Sequence, residues 1–87
     1  MVFVIIVYDV AVERQNKIRE FLRRFLDHVQ NSVFEGEITE STLFYIEKRI
    51  KELIDENNDS IIIYVLQNKN LVERKIEIGK RKDLIFY

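Results

Sequence analysis

The chain contains no cysteine and no proline, and among its 87 residues there are only two glycines and one histidine. Without cysteine there can be no disulfide framework, no thiolate nucleophile and no cysteine-ligated zinc, a usage that suits the cytoplasm. Two glycines cannot build a glycine-rich phosphate loop, and one histidine cannot form a histidine-rich metal cluster. No Ser/His/Asp set stands out either, which argues against a nucleotide-cofactor enzyme. The apolar run at the N-terminus is too short to span a bilayer and has no basic region before it, so neither an anchor nor a signal peptide is expected. The missing proline, the many isoleucines and a charged fraction of 33% suit a thermophilic source on composition alone.

What is present is a chain of 47% hydrophobic residues, enough for one small core and too short for two domains. The net charge of −1 hides an uneven distribution. Glu13 to Asp27 carries five basic and three acidic residues, and Gln67 to Tyr87 carries six and three, whereas Glu35 to Asp59 carries eight acidic and three basic. A nucleic-acid-binding face needs local positive charge, so a near-neutral total does not exclude one.

Six apolar residues, Val2 to Val7, read as a buried strand that surfaces at Tyr8-Asp9-Val10. Ile18, Phe21, Leu22, Phe25 and Leu26 recur at spacings of three and four, predicting a helix over about 12–27. Val29 to Ile38 reads as extended, as one strand or two short ones, with Asn31-Ser32 and Glu35-Gly36 as bends or bulges. Thr39 is a good N-cap for a second helix striped by Leu43, Ile46, Ile50, Leu53 and Ile54, which stops before Asn57-Asn58-Asp59. Ser60 to Leu66 is a β-branched strand, and Leu71 to Ile78 alternates apolar and charged residues as a strand with one wet face. This order predicts an α+β, ferredoxin-like split β-α-β domain over 1–87 with an additional C-terminal strand. In that topology the Ile61–Leu66 strand lies at an edge that needs covering. The extra strand either folds back on its own chain or crosses to a second subunit, and exchange within a symmetric homodimer is the expectation.

The words VIIVYDV (4–10), RQNKIREFLRRF (14–25), VQNSVFEG (29–36) and DSIIIYVL (59–66) together resemble the CRISPR-associated Cas-two family, the partner of the Cas-one spacer integrase. They cover about three quarters of the chain in the expected order. The tyrosine-aspartate word alone is common; followed by a basic helix and QxSVFEG it is specific. The resemblance implies a ferredoxin-like subunit, a homodimer, and a role in acquiring CRISPR spacers from foreign nucleic acid, with DNA, and RNA in some members, as the macromolecular partner. It also implies, at Asp9, a divalent cation such as Mg2+ and the endonuclease activity found in some members. His28 departs from the family, where a basic residue is common, and a mostly neutral histidine supplies less charge.

Read from the residues alone, Asp9 either ends a strand in an Asx-type turn, pairs with Arg14, or binds metal. One carboxylate is a poor magnesium site, but two Asp9 side chains meeting across a dimer axis would improve it. Without metal the same pair would repel. Arg14 either steadies a phosphate beside Asp9 or neutralises that carboxylate. Lys17, Arg19, Arg23 and Arg24 border the apolar stripe; singly each is a solvated residue, and as a group they suggest sequence-independent backbone binding. Ser32 either hydrogen-bonds near the metal or a phosphate, or is the polar residue of a bend. Phe34 is expected in the core or a dimer contact rather than as a base-stacking platform. Nothing places His28 near Asp9 as a general base, and a histidine at a helix end is expected at the surface. Tyr8 and Tyr64 should be packed, with their hydroxyls seeking partners. Three functions compete: a phosphodiesterase using paired Asp9 residues, a non-catalytic DNA-binding adaptor bridging integrase subunits, and a toxin-like ribonuclease outside adaptation, which the fold alone could also host.

Overall fold

The computed structural model describes residues 1–68 and 71–79. Its elements run β1 (Val2–Asp9), α1 (Val12–Leu22), β2 (Asp27–Gln30), β3 (Val33–Ile38), α2 (Glu40–Leu53), β4 (Ser60–Asn68) and β5 (Leu71–Gly79). The five strands form one sheet in the order β2-β3-β1-β4-β5, and every neighbouring pair is antiparallel. Strands β1 and β2, and likewise β3 and β4, are each joined through a helix and separated in the sheet by one strand, which is the split β-α-β arrangement expected of this chain.

The apolar run of β1 occupies the centre of the sheet because both its edges must be paired. Ile6 lies opposite Phe34 on β3 and Ile63 on β4. Strand alternation sends Val4, Ile6 and Tyr8 to one face, where Phe34, Ile61, Ile63 and Val65 join them. Both helices pack there, α1 through Ile18, Phe21 and Leu22, and α2 through Leu43, Ile46 and Ile50. Thr39 caps α2 as expected, its hydroxyl accepting from the Thr42 amide at 3.1 Å.

The first helix is shorter than its apolar stripe. It ends at Leu22 rather than Asp27, because the chain tightens: the Arg24 amide donates to the Phe21 carbonyl and the Phe25 amide to the Leu22 carbonyl, each three residues back. Leu26 is still buried and Phe25 still packs against the core, so the stripe continues past the last α-helical residue. The released chain forms β2 from Asp27, with a bulge between His28 and Gln30. Val29, an apolar residue of this strand, is 49% exposed.

In the single chain described, residues 71–79 fold back on their own β4, and exchange between two subunits stays with the homodimer as a proposal. This segment pairs with β4 of its own chain, in a register running from Asn68 opposite Leu71 to Ser60 opposite Gly79. This antiparallel pairing covers the β4 edge within one chain. The remainder of the C-terminal segment, 80–87, lies outside the described residues.

Candidate functional site

Asp9 is the last residue of β1 and is exposed. Tyr8 points into the helix-covered core, so alternation puts Asp9 on the sheet face without helices. Its cross-strand neighbour on that face is Ser60, which is buried and lies in turn opposite Gly79 of β5. On the other side, the Tyr8 amide donates to the Ser32 carbonyl at 3.0 Å, which brings the β2–β3 turn alongside the end of β1. The structure therefore gathers Asp9, Ser32 and Ser60 at one end of the sheet.

It does not pair Arg14 with Asp9. The Arg14 guanidinium grips Asp59 instead, Nε donating to Oδ2 at 2.5 Å and Nη2 to Oδ1 at 2.9 Å. Sequence reasoning placed Asp59 only in a turn, yet its side chain is fully buried. Two backbone amides complete its shell: Ala11 donates to Oδ1 at 2.9 Å and Asp55 to Oδ2 at 2.9 Å. The Arg14 hydrogen bonds, and then the Asp55 and Ala11 amides, outweigh the cost of burial and bring the Asp59 carboxyl from 3.8 to about 2. The same contact raises Arg14 above the usual arginine value. Ala11 is the N-cap residue of α1 and has no side-chain acceptor of its own, so the cap comes from a carboxylate 48 residues away. The only local hint was the serine-flanked aspartate just before the β4 run.

The other cations lie along α1 and just beyond it. Lys17, Arg23 and Arg24 are exposed and Arg19 is half-buried. Arg19 donates to the Asn16 side chain at 2.8 Å, and Arg23 is 3.4 Å from Glu20. Arg19 and Arg23 are also near enough to the Tyr8 hydroxyl to lower its pKa against the larger upward effect of burial. That hydroxyl donates to the Asn31 carbonyl at 3.2 Å, the partner its position called for. Phe34 is completely buried and serves the core. His28 stands on β2, not at a helix end, stacked on Phe34 with ring centroids 4.6 Å apart, and its Nε2 lies 3.0 Å from the Asn31 carbonyl.

As a metal site, one chain offers little beyond Asp9. No three metal-binding side chains gather among the described residues. Magnesium nevertheless accepts one or two carboxylates with water filling the remaining positions, so Asp9 fits that role, and two copies of it fit better. No helix among the described residues is long and apolar enough to cross a membrane.

Comparison with known proteins agrees with this geometry. The family model for CRISPR associated protein Cas2 matches residues 1–74. The chain is 55% identical over 85 residues to the CRISPR-associated endoribonuclease Cas2 of Nanoarchaeum equitans, covering 98% of this chain and 92% of that one. It is 53% identical over 66 residues to the protein of the same description from Pyrococcus furiosus, covering 76% and 78%. Among solved structures, a crystal structure of Cas2 superposes with a TM-score of 0.76 at 37% identity, covering 99% of this chain and 95% of that one. Streptococcus pyogenes Cas2, crystallised at pH 6.5, gives 0.70 at 35% identity, covering 78% and 88%. Motif order, strand order and sequence identity thus converge, and the chain belongs to the CRISPR-associated Cas2 family.

Proposed function

We propose that this Cas2 protein acts in CRISPR spacer acquisition as a homodimer that binds nucleic acid and bridges subunits of the Cas-one integrase, with Mg2+-dependent endonuclease activity at paired Asp9 residues. The observation that carries the catalytic part is the placement of Asp9: an exposed carboxylate at the end of the central strand, on the sheet face that no helix covers. The relatives' description as endoribonucleases favours RNA as the cleaved substrate.

The dimer reading rests on the same face. Phe3, Ile5, Val7, Val33, Ile62 and Tyr64 alternate away from the helices, and four of them are only half-buried. A second copy is the occupant whose matching face would cover them, and a two-fold axis near the end of β1 would bring the two Asp9 carboxylates together. Bound there, a magnesium ion would polarise a phosphodiester and lower the pKa of a bound water. The chain's own contribution is to hold the carboxylates in place. Lys17, Arg19, Arg23 and Arg24, with Ser32 at the turn, engage phosphate oxygens without reading bases. An adaptor without catalysis shares this dimer and these contacts and is the second reading.

Cleavage of labelled single-stranded RNA and double-stranded DNA in Mg2+ by the wild type and by Asp9→Asn, with the mass of both proteins measured by light scattering, separates the two. Loss of cleavage in a mutant that remains dimeric supports the nuclease. Equal cleavage by both refutes Asp9 as the site. No cleavage by either, with dimers intact, leaves the adaptor.

A further inference from the structure

We propose that Asp59, neutralised by Arg14, is the positioning residue for Asp9, acting through the backbone of the β1–α1 turn. This deepens the reading of Asp9 as the chemical centre and rests on it for its functional meaning.

Three segments converge on the Asp59 carboxylate. The Ala11 amide belongs to the turn that follows Asp9, Arg14 to the first turn of α1, and the Asp55 amide to the loop after α2. Each carboxylate oxygen accepts two of the four bonds, so the group is saturated. Its backbone is fixed too: a Cβ on Gly79, which sits at φ +95°, would lie 2.1 Å from the Asp59 carbonyl oxygen, so the end of β5 rests directly on this residue. Only Val10 separates Asp9 from Ala11, and the residue after Asp59, Ser60 of β4, is Asp9's cross-strand partner. Asp59 therefore controls Asp9 from both directions, along β1 through Ala11 and across the sheet through Ser60. Arg14 is all donor and cannot be replaced by water without leaving a buried carboxylate unpaired. Of the roles expected for Arg14 beside Asp9, the structure shows its guanidinium given to Asp59 instead.

The test uses amide hydrogen exchange and Mn2+ broadening, followed by NMR on the full chain, in wild type, Asp59→Asn, Arg14→Lys and Arg14→Gln. In Asp59→Asn the side-chain amide turns a donor toward Arg14, and the Ala11 amide should lose at least tenfold in protection while Val4 and Ile6 on the same strand keep theirs. Arg14→Lys should restore part of what Arg14→Gln loses, because it keeps the charge without the fork. Mn2+, added as the probe cation, should broaden the Asp9 amide in the wild type and do so several-fold more weakly in Asp59→Asn. Retained Ala11 protection in Asp59→Asn, or undiminished Mn2+ broadening at Asp9, would overturn the proposal. Wild type showing no Mn2+ effect, with Ala11 protection lost in the mutant, would instead refute the metal reading of Asp9 and leave the positioning of its turn standing. If Asp59→Asn fails to fold, Arg14→Lys carries the same comparison.

Discussion

Replacing Asp59 by asparagine should destabilise this protein far more than an average polar substitution, and the acid limb of its stability should change shape. The carboxylate is buried and accepts four hydrogen bonds, two of them from a guanidinium whose side chain is 21% exposed. Breaking a fully buried ion pair costs about 3–5 kcal/mol, and access of water to the open side of Arg14 discounts this to about 2–3 kcal/mol. For a domain of this size that corresponds to a fall in Tm of roughly 10–20 °C. The pH dependence follows from the folded carboxyl titrating at about 2 against an ordinary value of 3.8. Because the folded value is the lower one, the unfolded chain takes up the proton first. The stabilisation is thus complete above the ordinary carboxylate value and is lost as pH falls toward 2. The full linkage is about 2.5 kcal/mol, and the partial exposure of Arg14 brings it nearer 1–2 kcal/mol. Urea denaturation of wild type, Asp59→Asn, Arg14→Gln and the double mutant, at one protein concentration and at pH 7 and pH 3, measures both effects. The double mutant should lose less than the sum of the singles, since either change alone breaks the same contact. Asp59→Asn within about 0.5 kcal/mol of wild type at pH 7, a size expected of ordinary surface changes, would refute the reasoning. So would an Asp59→Asn protein that loses as much stability between pH 7 and pH 3 as the wild type does.

Three further outcomes are expected. Gly79→Ala should cost about 2 kcal/mol or more, because a left-handed φ and a backbone carbonyl in the path of the new Cβ act together; thermal denaturation reads the loss, and the Ser60 amide should exchange faster as β5 lifts. Phe34→Ala removes a completely buried ring that Tyr8 and His28 both stack against, and should cost about 3–5 kcal/mol in chemical denaturation, with Phe34→Leu much milder. Replacing both Arg23 and Arg24 by glutamine should weaken nucleic-acid binding equally for unrelated sequences and flatten the plot of log affinity against log salt by about 2, as measured by fluorescence anisotropy from low to moderate salt.

The elements were legible where one signal was strong and local. Continuous apolar runs at Val2–Val7 and Ile61–Leu66 could only be strands, and the stripe from Leu43 to Ile50 with Thr39 before it could only be a capped amphipathic helix. The end of α1 was not legible, because hydrophobic periodicity reports burial and not hydrogen bonding. Phe25 and Leu26 continue the stripe while the backbone has already turned. The route of β5 was equally open, since alternation says that a strand has one wet face and nothing about whose edge it meets. Asp9 was found because it interrupts a strand signal. Asp59 was overlooked because its partners are 45 and 48 residues distant and its local context, a run of asparagine and aspartate, reads as a solvated turn.

The two aspartates at this end of the sheet show how environment assigns different work to the same side chain. They differ by 50 in sequence number and lie one residue apart across the β1–β4 ladder, since Asp9 faces Ser60. Asp59 has every lone-pair direction occupied and its charge cancelled by Arg14, so it has nothing left to offer a cation or a phosphate. Asp9 ends its strand in solvent on the opposite face from the core. In the proposed function the exposed Asp9 carboxylate faces a divalent ion or a second subunit, and the phosphate-facing charge is carried further along the chain by Lys17, Arg23 and Arg24. On the positioning proposal, an internal ion pair that binds no ligand holds in place the turn beside the residue that would bind one.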